Sequence, residues 1–197
     1  YDIITGKSRK LEITIPADRW QRRDTYISPM NYTQELSPDR TGDRCLVQAR
    51  GDIYMVDQKK ERAVNITRTP GSRELHPAIS PERDSIAFFS DRTGEYELYV
   101  SPAEPGAEWK QITSGSGSYY YHLKWSPDGS KILFGDKDFV IRMAELDSGR
   151  VTEIDRCPYQ KDNEIFWEVS DYSWSPDSRW VVYSRVEQNL NSSIFLY

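Results

Sequence analysis

The chain is poor in the residues that carry most metal and nucleophile chemistry: its 197 residues include two histidines and two cysteines. No second histidine stands three or four residues from His76 or His122, and Cys45 and Cys157 form no close pair, so no zinc-binding spacing is present. Cys45 lies in a strand-like run, CLVQA, and Cys157 precedes a proline. Both read as buried or half-buried thiols rather than as a disulfide. No stretch approaches the ~20 apolar residues of a bilayer-spanning helix, so no membrane partner is expected. A basic excess is missing too. Lys and Arg number 26 against 31 Asp and Glu, mixed along the chain, for a formal charge of -5. Nucleic-acid binding lacks the basic face it needs. The opening residues, YDIITGKSRKLEITIP, have no signal-peptide architecture and read as the middle of a folded unit.

Aromatic residues, by contrast, are plentiful, with 13 Tyr, 6 Trp and 6 Phe, a set that favours strands. Much of the sequence is one unit repeated. Ser-Pro-acid triplets begin at Ser37, Ser80, Ser126 and Ser175, spaced by 43, 46 and 49 residues. That period belongs to propeller blades or helical arrays. Helical arrays fail, because no long amphipathic pattern follows the triplets. Short strand-like runs follow instead: CLVQA, IAFFS, KILFG and WVVYS, then DIYMVD, YELYVS, FVIRMAEL and SSIFLY, then AVNIT, WKQIT and VTEID. The segment before each triplet supplies a fourth strand, ending in Leu36, Ile79, Trp125 or Trp174. Four strands per unit predict an all-β chain, a β-propeller of four-stranded antiparallel blades. A small sheet cannot bury both faces alone, so blades stack, and these four residues are expected to pack between them. The proline fixes φ after the inner strand, and Asp-Gly or Asp-Ser turns the chain back. Asp128 therefore reads as a turn residue, not a catalytic acid.

Residues 1–15 match the last two strands of a unit, with Thr5-Gly6-Lys7 lying over Ser148-Gly149-Arg150, and SSIFLY stops at a third strand. The chain is expected to be an incomplete propeller fragment of a longer polypeptide. Residues 16–35 lack the repeat pattern and read either as an elaborated loop within one propeller or as a connector between two, the dense charge of Asp18, Arg19, Arg22, Arg23 and Asp24 favouring the connector. Residues 1–15 would then be the last strands of a preceding propeller and 36–197 the first blades of a second. An irregular insert, 156–171, stretches the last interval, and inserts of this kind are where binding function tends to lie.

No catalytic, cofactor-binding or metal-ligating residue can be singled out. His76 and His122 each stand four residues before a triplet serine, a slot that Thr33 and Asp171 fill elsewhere. Equivalent positions in successive blades are expected to lie a blade's width apart, which argues against a shared metal. The serine-rich TSGSGS, 113–118, lacks both the nucleophile-elbow spacing and a Walker ending, and reads as a turn. Asp136-Lys137-Asp138 and Asp91-Arg92-Thr93-Gly94 fall at strand links without EF-hand spacing. Tyr119-Tyr120-Tyr121 and Phe166-Trp167 read as strand core. Asn31, Asn65 and Asn191 open glycosylation sequons, which matter only in a secreted protein.

The segment NITRTPGSRELHPAISPERDSIAFFSDRTGEYELYV at 65–100, with WSPDGSKILFGDKDF, WSPDSRWVVYSR, ELSPDRTGDRCLVQARGDIYMVD and the connector ADRWQRRD, resembles tricorn-type proteases over essentially the whole chain. The Ser-Pro-Asp-Gly signature alone is also similar to TolB-type propellers and prolyl-oligopeptidase relatives. The ARGDIYMVD and NITRTPG pieces, followed by SDRTGEYELYV, point to the tricorn group. The resemblance implies a six-bladed propeller followed by a seven-bladed one, a PDZ-like domain and a serine-peptidase region. It implies peptides as partners, a homo-oligomer, a cytoplasmic location (periplasmic or exported for a TolB-like protein), and catalytic residues beyond Tyr197. No catalytic family residue falls on this sequence, and no cofactor is implied. Two departures stand out: ISPERDS replaces the Asp-Gly turn with Glu82-Arg83-Asp84, and the 156–171 insert leaves substrate preference open.

Overall fold

The structure is a computed structural model describing residues 3–8, 10, 12, 13, 29–82, 84–157, 171–187, 189 and 191–197. Residues 16–28 of the expected connector, 158–170 of the insert with Phe166 and Trp167, and Arg83 lie outside the described residues.

Strands come in sets. The first sheet holds β1 (Thr33–Pro38), β2 (Arg44–Ala49), β3 (Asp52–Asp57) and β4 (Arg62–Asn65). The second holds β5 (Glu74–Ile79), β6 (Ser85–Ser90), β7 (Glu97–Pro102) and β8 (Lys110–Gln111). The third holds β9 (Tyr120–Trp125), β10 (Lys131–Asp136), β11 (Val140–Glu145) and β12 (Val151–Arg156), and the fourth β13 (Tyr172–Trp174), β14 (Val181–Val186) and β15 (Ser192–Leu196). Within every sheet the strands neighbour one another in chain order, and all the pairings between them are antiparallel. This is an all-β chain of four sheets without a closed barrel, the architecture of an incomplete set of propeller blades. Residues 33–35, inside the span assigned to the connector, already belong to β1. Among the described residues no helix is long and apolar enough to cross a membrane.

Strand periodicity explains the stacking. Alternate side chains leave opposite faces of a sheet. In β6, Ile86 and Phe88 therefore join Leu46, Ile53 and Ile66 of the first sheet and its β4 edge, while Ala87 and Phe89 join Tyr120, Leu123, Ile132 and Phe134 of the third. The same alternation in β10 turns Leu133 toward Tyr172, Val181 and Tyr183 of the fourth sheet. Phe88, Phe89 and Phe134 are fully buried, each worth about 1.5–3 kcal/mol relative to exposure. Middle sheets thus bury both faces, and their central strands read as nearly unbroken apolar runs.

The outermost faces differ. Val182 is paired in register with Leu196, and Ser184 with Ile194, so Val182, Leu196 and Ile194 share the outer face of the fourth sheet. Ile194 and Leu196 are 80% and 66% exposed. Leu36, expected between blades, is 60% exposed on the outer side of the first sheet, against which no described sheet packs. Ile79, Trp125 and Trp174 do pack against the inter-sheet clusters.

Candidate functional site

The first strands of the sheets lie on the inside of the arc: β5 touches both β1 and β9, and β13 is tied to β9 by side-chain hydrogen bonds. Their C-terminal ends carry the Ser-Pro turns, and these turns converge. Pro38, Ile79 and Pro81, Trp125 and Pro127, and Trp174 and Pro176 line one groove of about 680 Å³. The fourfold repeat thereby builds a single surface of proline rings and half-exposed indoles, with Arg40 and Lys124 as its cations.

Each turn is held by its own polar residues. Ser126 Oγ donates to Asp128 Oδ1 at 2.6 Å, and the N–H and Oγ–H of Ser130 donate to the same oxygen. The Ser126 hydroxyl holds the Asp128 carboxyl below its ordinary range. Gly129 takes φ 71°, the left-handed region that favours glycine, and its N–H reaches the Ser126 carbonyl. Asp128 is thus engaged as a turn residue. Where Glu82 replaces the aspartate, Ser80 Oγ donates to Asp84 instead, at 3.0 Å. The altered triplet keeps the serine-to-acid hydrogen bond by borrowing an acid two residues on.

Indoles and a phenol tie the inner strands together. Trp125 Nε1 donates to the Ala78 carbonyl and Trp174 Nε1 to the Lys124 carbonyl, the same position one sheet later. Tyr172 donates its hydroxyl to the His122 carbonyl, and Lys124 Nζ donates to the Tyr172 carbonyl at 2.7 Å. Burial pushes the Tyr172 phenol far above its ordinary range. Further out, Asp155 accepts from Tyr183 and Arg185 of the fourth sheet, at 2.6 and 2.7 Å. Burial works to raise the Asp155 carboxyl, but the hydrogen bonds from Tyr183, the Arg156 N–H and Arg185 outweigh it and hold it low. Burial and this acid push the Tyr183 phenol up to about 12.

The N-terminal halves of the inner strands hold both histidines. His76 and His122 sit in matching register irregularities of β5 and β9, at φ 50° and 53°. Their ring centroids are 6.1 Å apart, so the expected separation by a blade's width is wrong. Blades are wedges, and equivalent positions on inner strands meet where the wedges narrow. His76 Nδ1 is buried and lies 2.8 Å from Glu35 Oε2, yet it has no aligned hydrogen-bond partner. Proximity to the carboxylate, rather than a hydrogen bond, describes that contact.

The remaining sequence features are structural. In TSGSGS, Ser116 donates its N–H to Glu97 and its hydroxyl to the Tyr96 carbonyl, while Thr113 donates to Glu97. Asp136 accepts from the N–H groups of Asp138 and Val140 and pairs with Arg142 at 2.9 Å, and Asp91 accepts from the Arg73 N–H. Tyr120 joins the core, and both cysteines are free thiols. Asn65 is committed to Asp52 and to the Arg68 N–H. One buried acid was not singled out from the sequence. Glu74 is fully buried and accepts from Thr69, Ser72 and Ser90. Its signal was the hydroxyl density of TRTPGSRE, which is common in surface loops. Among the described residues no group of three or more His, Cys, Asp or Glu side chains is placed to hold a metal ion.

No family model matches the chain. It is 27% identical over 188 residues to tricorn protease homolog 1 of Streptomyces coelicolor, covering 93% of this chain and 17% of that protein. The chain therefore spans about a sixth of that relative's length. Among solved structures it resembles the tricorn protease, with TM-score 0.71 and 18% identity over 94% of this chain and 17% of that one. A putative TolB from Agrobacterium tumefaciens gives TM-score 0.63 and 20% identity over 83% of this chain and 57% of that one. The fold is of the β-propeller type, similar to the folds of the tricorn protease and of the putative TolB.

Proposed function

We propose that this chain is a propeller segment of a serine peptidase resembling tricorn protease, gating or channelling peptides to a catalytic domain outside residues 1–197. The observation that carries the reading is that the likeness to a tricorn protease homolog extends along 93% of the chain. Blade repeats alone would give shorter, shiftable matches to many propellers. In this reading residues 1–15 end one propeller, 16–35 connect, and 36–197 open a second, seven-bladed one. Its partners are peptides, the PDZ-like and catalytic domains of the same polypeptide, and further copies in a homo-oligomer of the cytoplasm. The chemistry would be acyl transfer through a serine ester, with hydrogen-bond donors stabilising the oxyanion. This segment contributes access and selection. The proline- and indole-lined groove, flanked by Arg40 and Lys124, offers apolar surface to side chains and cations to peptide carboxylates.

The test is labelling of the full-length protein with a fluorophosphonate probe, followed by peptide mapping. The expected result is one labelled serine outside residues 1–197, with hydrolysis of short peptides that the isolated segment does not perform. Absence of both label and turnover in the full-length protein, or a label within residues 1–197, overturns the reading. The TolB likeness supports a second reading, a non-catalytic protein-binding propeller of an exported protein. Intact mass separates them. Two propellers, a PDZ-like module and a protease domain need about 110–130 kDa, whereas one propeller and a small companion need about 45 kDa.

A further inference from the structure

Four pyrrolidine rings, those of Pro38, Pro81, Pro127 and Pro176, line one groove with the half-exposed indoles of Trp125 and Trp174. We propose that this groove takes an acidic, proline-rich segment in the extended polyproline II conformation. The inference rests on the reading of the groove as a peptide site, and three observations carry it.

The first is how the inner strand edges are closed. β5, β9 and β13 each stand at the end of their sheet, so one edge of each has no strand partner. An open edge is the usual template for adding a peptide as a further strand. Here the Ala78 and Lys124 carbonyls accept the indole N–H groups of Trp125 and Trp174. The His122 carbonyl accepts the Tyr172 hydroxyl, and the Tyr172 carbonyl accepts Lys124 Nζ. With those acceptors already taken, strand addition is not the mode that suits this groove. The second is the wall itself. The committed N–H groups hold both indoles in place and leave ring surface as what they offer. Polyproline II suits such a wall: it has no internal hydrogen bonds, its backbone is preformed, and each proline brings no N–H in need of an acceptor. The third is charge. Arg40 and Lys124 are exposed on the lining, while Asp39, the acid among the described lining residues, is buried and accepts from Thr41. Cations at the surface and a withdrawn acid complement carboxylates set between prolines.

The rings supply apolar contact along the segment, and a stiff ligand loses little conformational entropy on binding. Lys124 keeps N–H donors to spare after its bond to the Tyr172 carbonyl, and Arg40 adds a guanidinium fork. Carbonyls and carboxylates of the segment therefore both find donors. The preference is for composition rather than for one sequence, because ring faces and exposed cations do not read a single side chain.

The test is fluorescence anisotropy with full-length protein pretreated with the fluorophosphonate, using a labelled repeat of Glu-Pro-Pro as the probe. Replacing every proline of the probe by alanine should weaken binding roughly tenfold, and replacing every glutamate by lysine should weaken it by about as much. Arg40→Gln, at an exposed turn, should weaken the Glu-Pro-Pro probe about threefold and flatten its salt dependence. Trp174→Leu removes a ring face and should weaken it roughly tenfold. Equal affinity for the proline and alanine probes overturns the proposal, as does the lack of saturable binding or an affinity that neither variant changes. Should Trp174→Leu fail to match the melting temperature of wild type, the probe comparison and Arg40→Gln decide. The readout is binding, not turnover, so a labelled serine without a proline preference leaves the peptidase reading standing and removes this one.

Discussion

The Trp125 indole donates its N–H to the Ala78 carbonyl of the preceding inner strand, 3.1 Å away. One sheet later the Trp174 indole repeats the bond to the Lys124 carbonyl at 3.3 Å, in a more exposed setting. Phenylalanine keeps most of the apolar surface and removes the donor. Trp125→Phe should destabilise the protein by about 1–2 kcal/mol, and Trp174→Phe by about 0.5 kcal/mol. Urea denaturation of each variant checks this. Equal losses would mean that the bonds are not graded by burial.

Tyr172 fixes the same joint from the other side. Its hydroxyl serves the His122 and Tyr121 carbonyls, and its ring is buried. Tyr172→Phe should cost about 1–1.5 kcal/mol through the lost donor, and Tyr172→Ala about 3–5 kcal/mol through the cavity. In an alkaline absorbance titration this phenol should stay protonated until the protein unfolds. A smooth titration of every tyrosine before unfolding would contradict the burial that holds it neutral.

Glu74 predicts a pH dependence with a definite sign. Burial raises its pKa above 4.5, and the hydroxyls of Thr69, Ser72 and Ser90 offset only part of that. The folded protein therefore holds this proton more tightly than the unfolded chain does. Its contribution to stability is present below about pH 4.5 and is lost as pH rises through the folded-state value. Glu74→Gln should flatten the fall in Tm across that window, measured by calorimetry from pH 4.5 to 8. Parallel curves for the two proteins would show that the acid ionises freely.

The outer face of the fourth sheet tests the proposed place of this segment in a longer chain. If a following blade covers Ile194 and Leu196, lysine at both positions buries charge without a partner and should cost the full-length protein several kcal/mol. In the isolated segment, where both are exposed, the same pair should be near neutral and should reduce dye binding to exposed apolar surface. A neutral effect in both settings would mean that nothing packs on this face.

Much of this was legible in the residues, and the reason is local. KILFG and DIYMVD announce β10 and β3 almost to the residue, because period-two alternation and flanking turns act within a few positions. WKQIT was harder: of five residues read as strand, only Lys110 and Gln111 form β8, with the Ile112 N–H adding one further bond to the Leu98 carbonyl. The turn role of Asp128 was also readable, since its hydroxyl partners stand two residues either side of it. Convergence was not readable. That four proline turns face one groove, and that His76 meets His122 rather than standing a blade away, follows from how wedge-shaped sheets narrow inward. Leu36 differs for a related reason: the slot it fills is apolar in every unit, and among the described residues no neighbouring sheet covers it. Glu74 hid because two of its donors, Thr69 and Ser72, look like ordinary loop hydroxyls, and the third, Ser90, comes from a strand sixteen residues on.

Within each sheet every hydrogen-bonded strand partner is a neighbour in sequence. The molecule is therefore closer to a one-dimensional array than to a single globule, with coupling passed from each unit to the next. In a segment of residues 1–197 alone, fluctuations should enter from the two flanking sheets, whose outer faces no described sheet covers. Amide exchange should accordingly be slowest in β6 and β10, whose side chains are gripped from both sides, and should quicken toward β1 and β15.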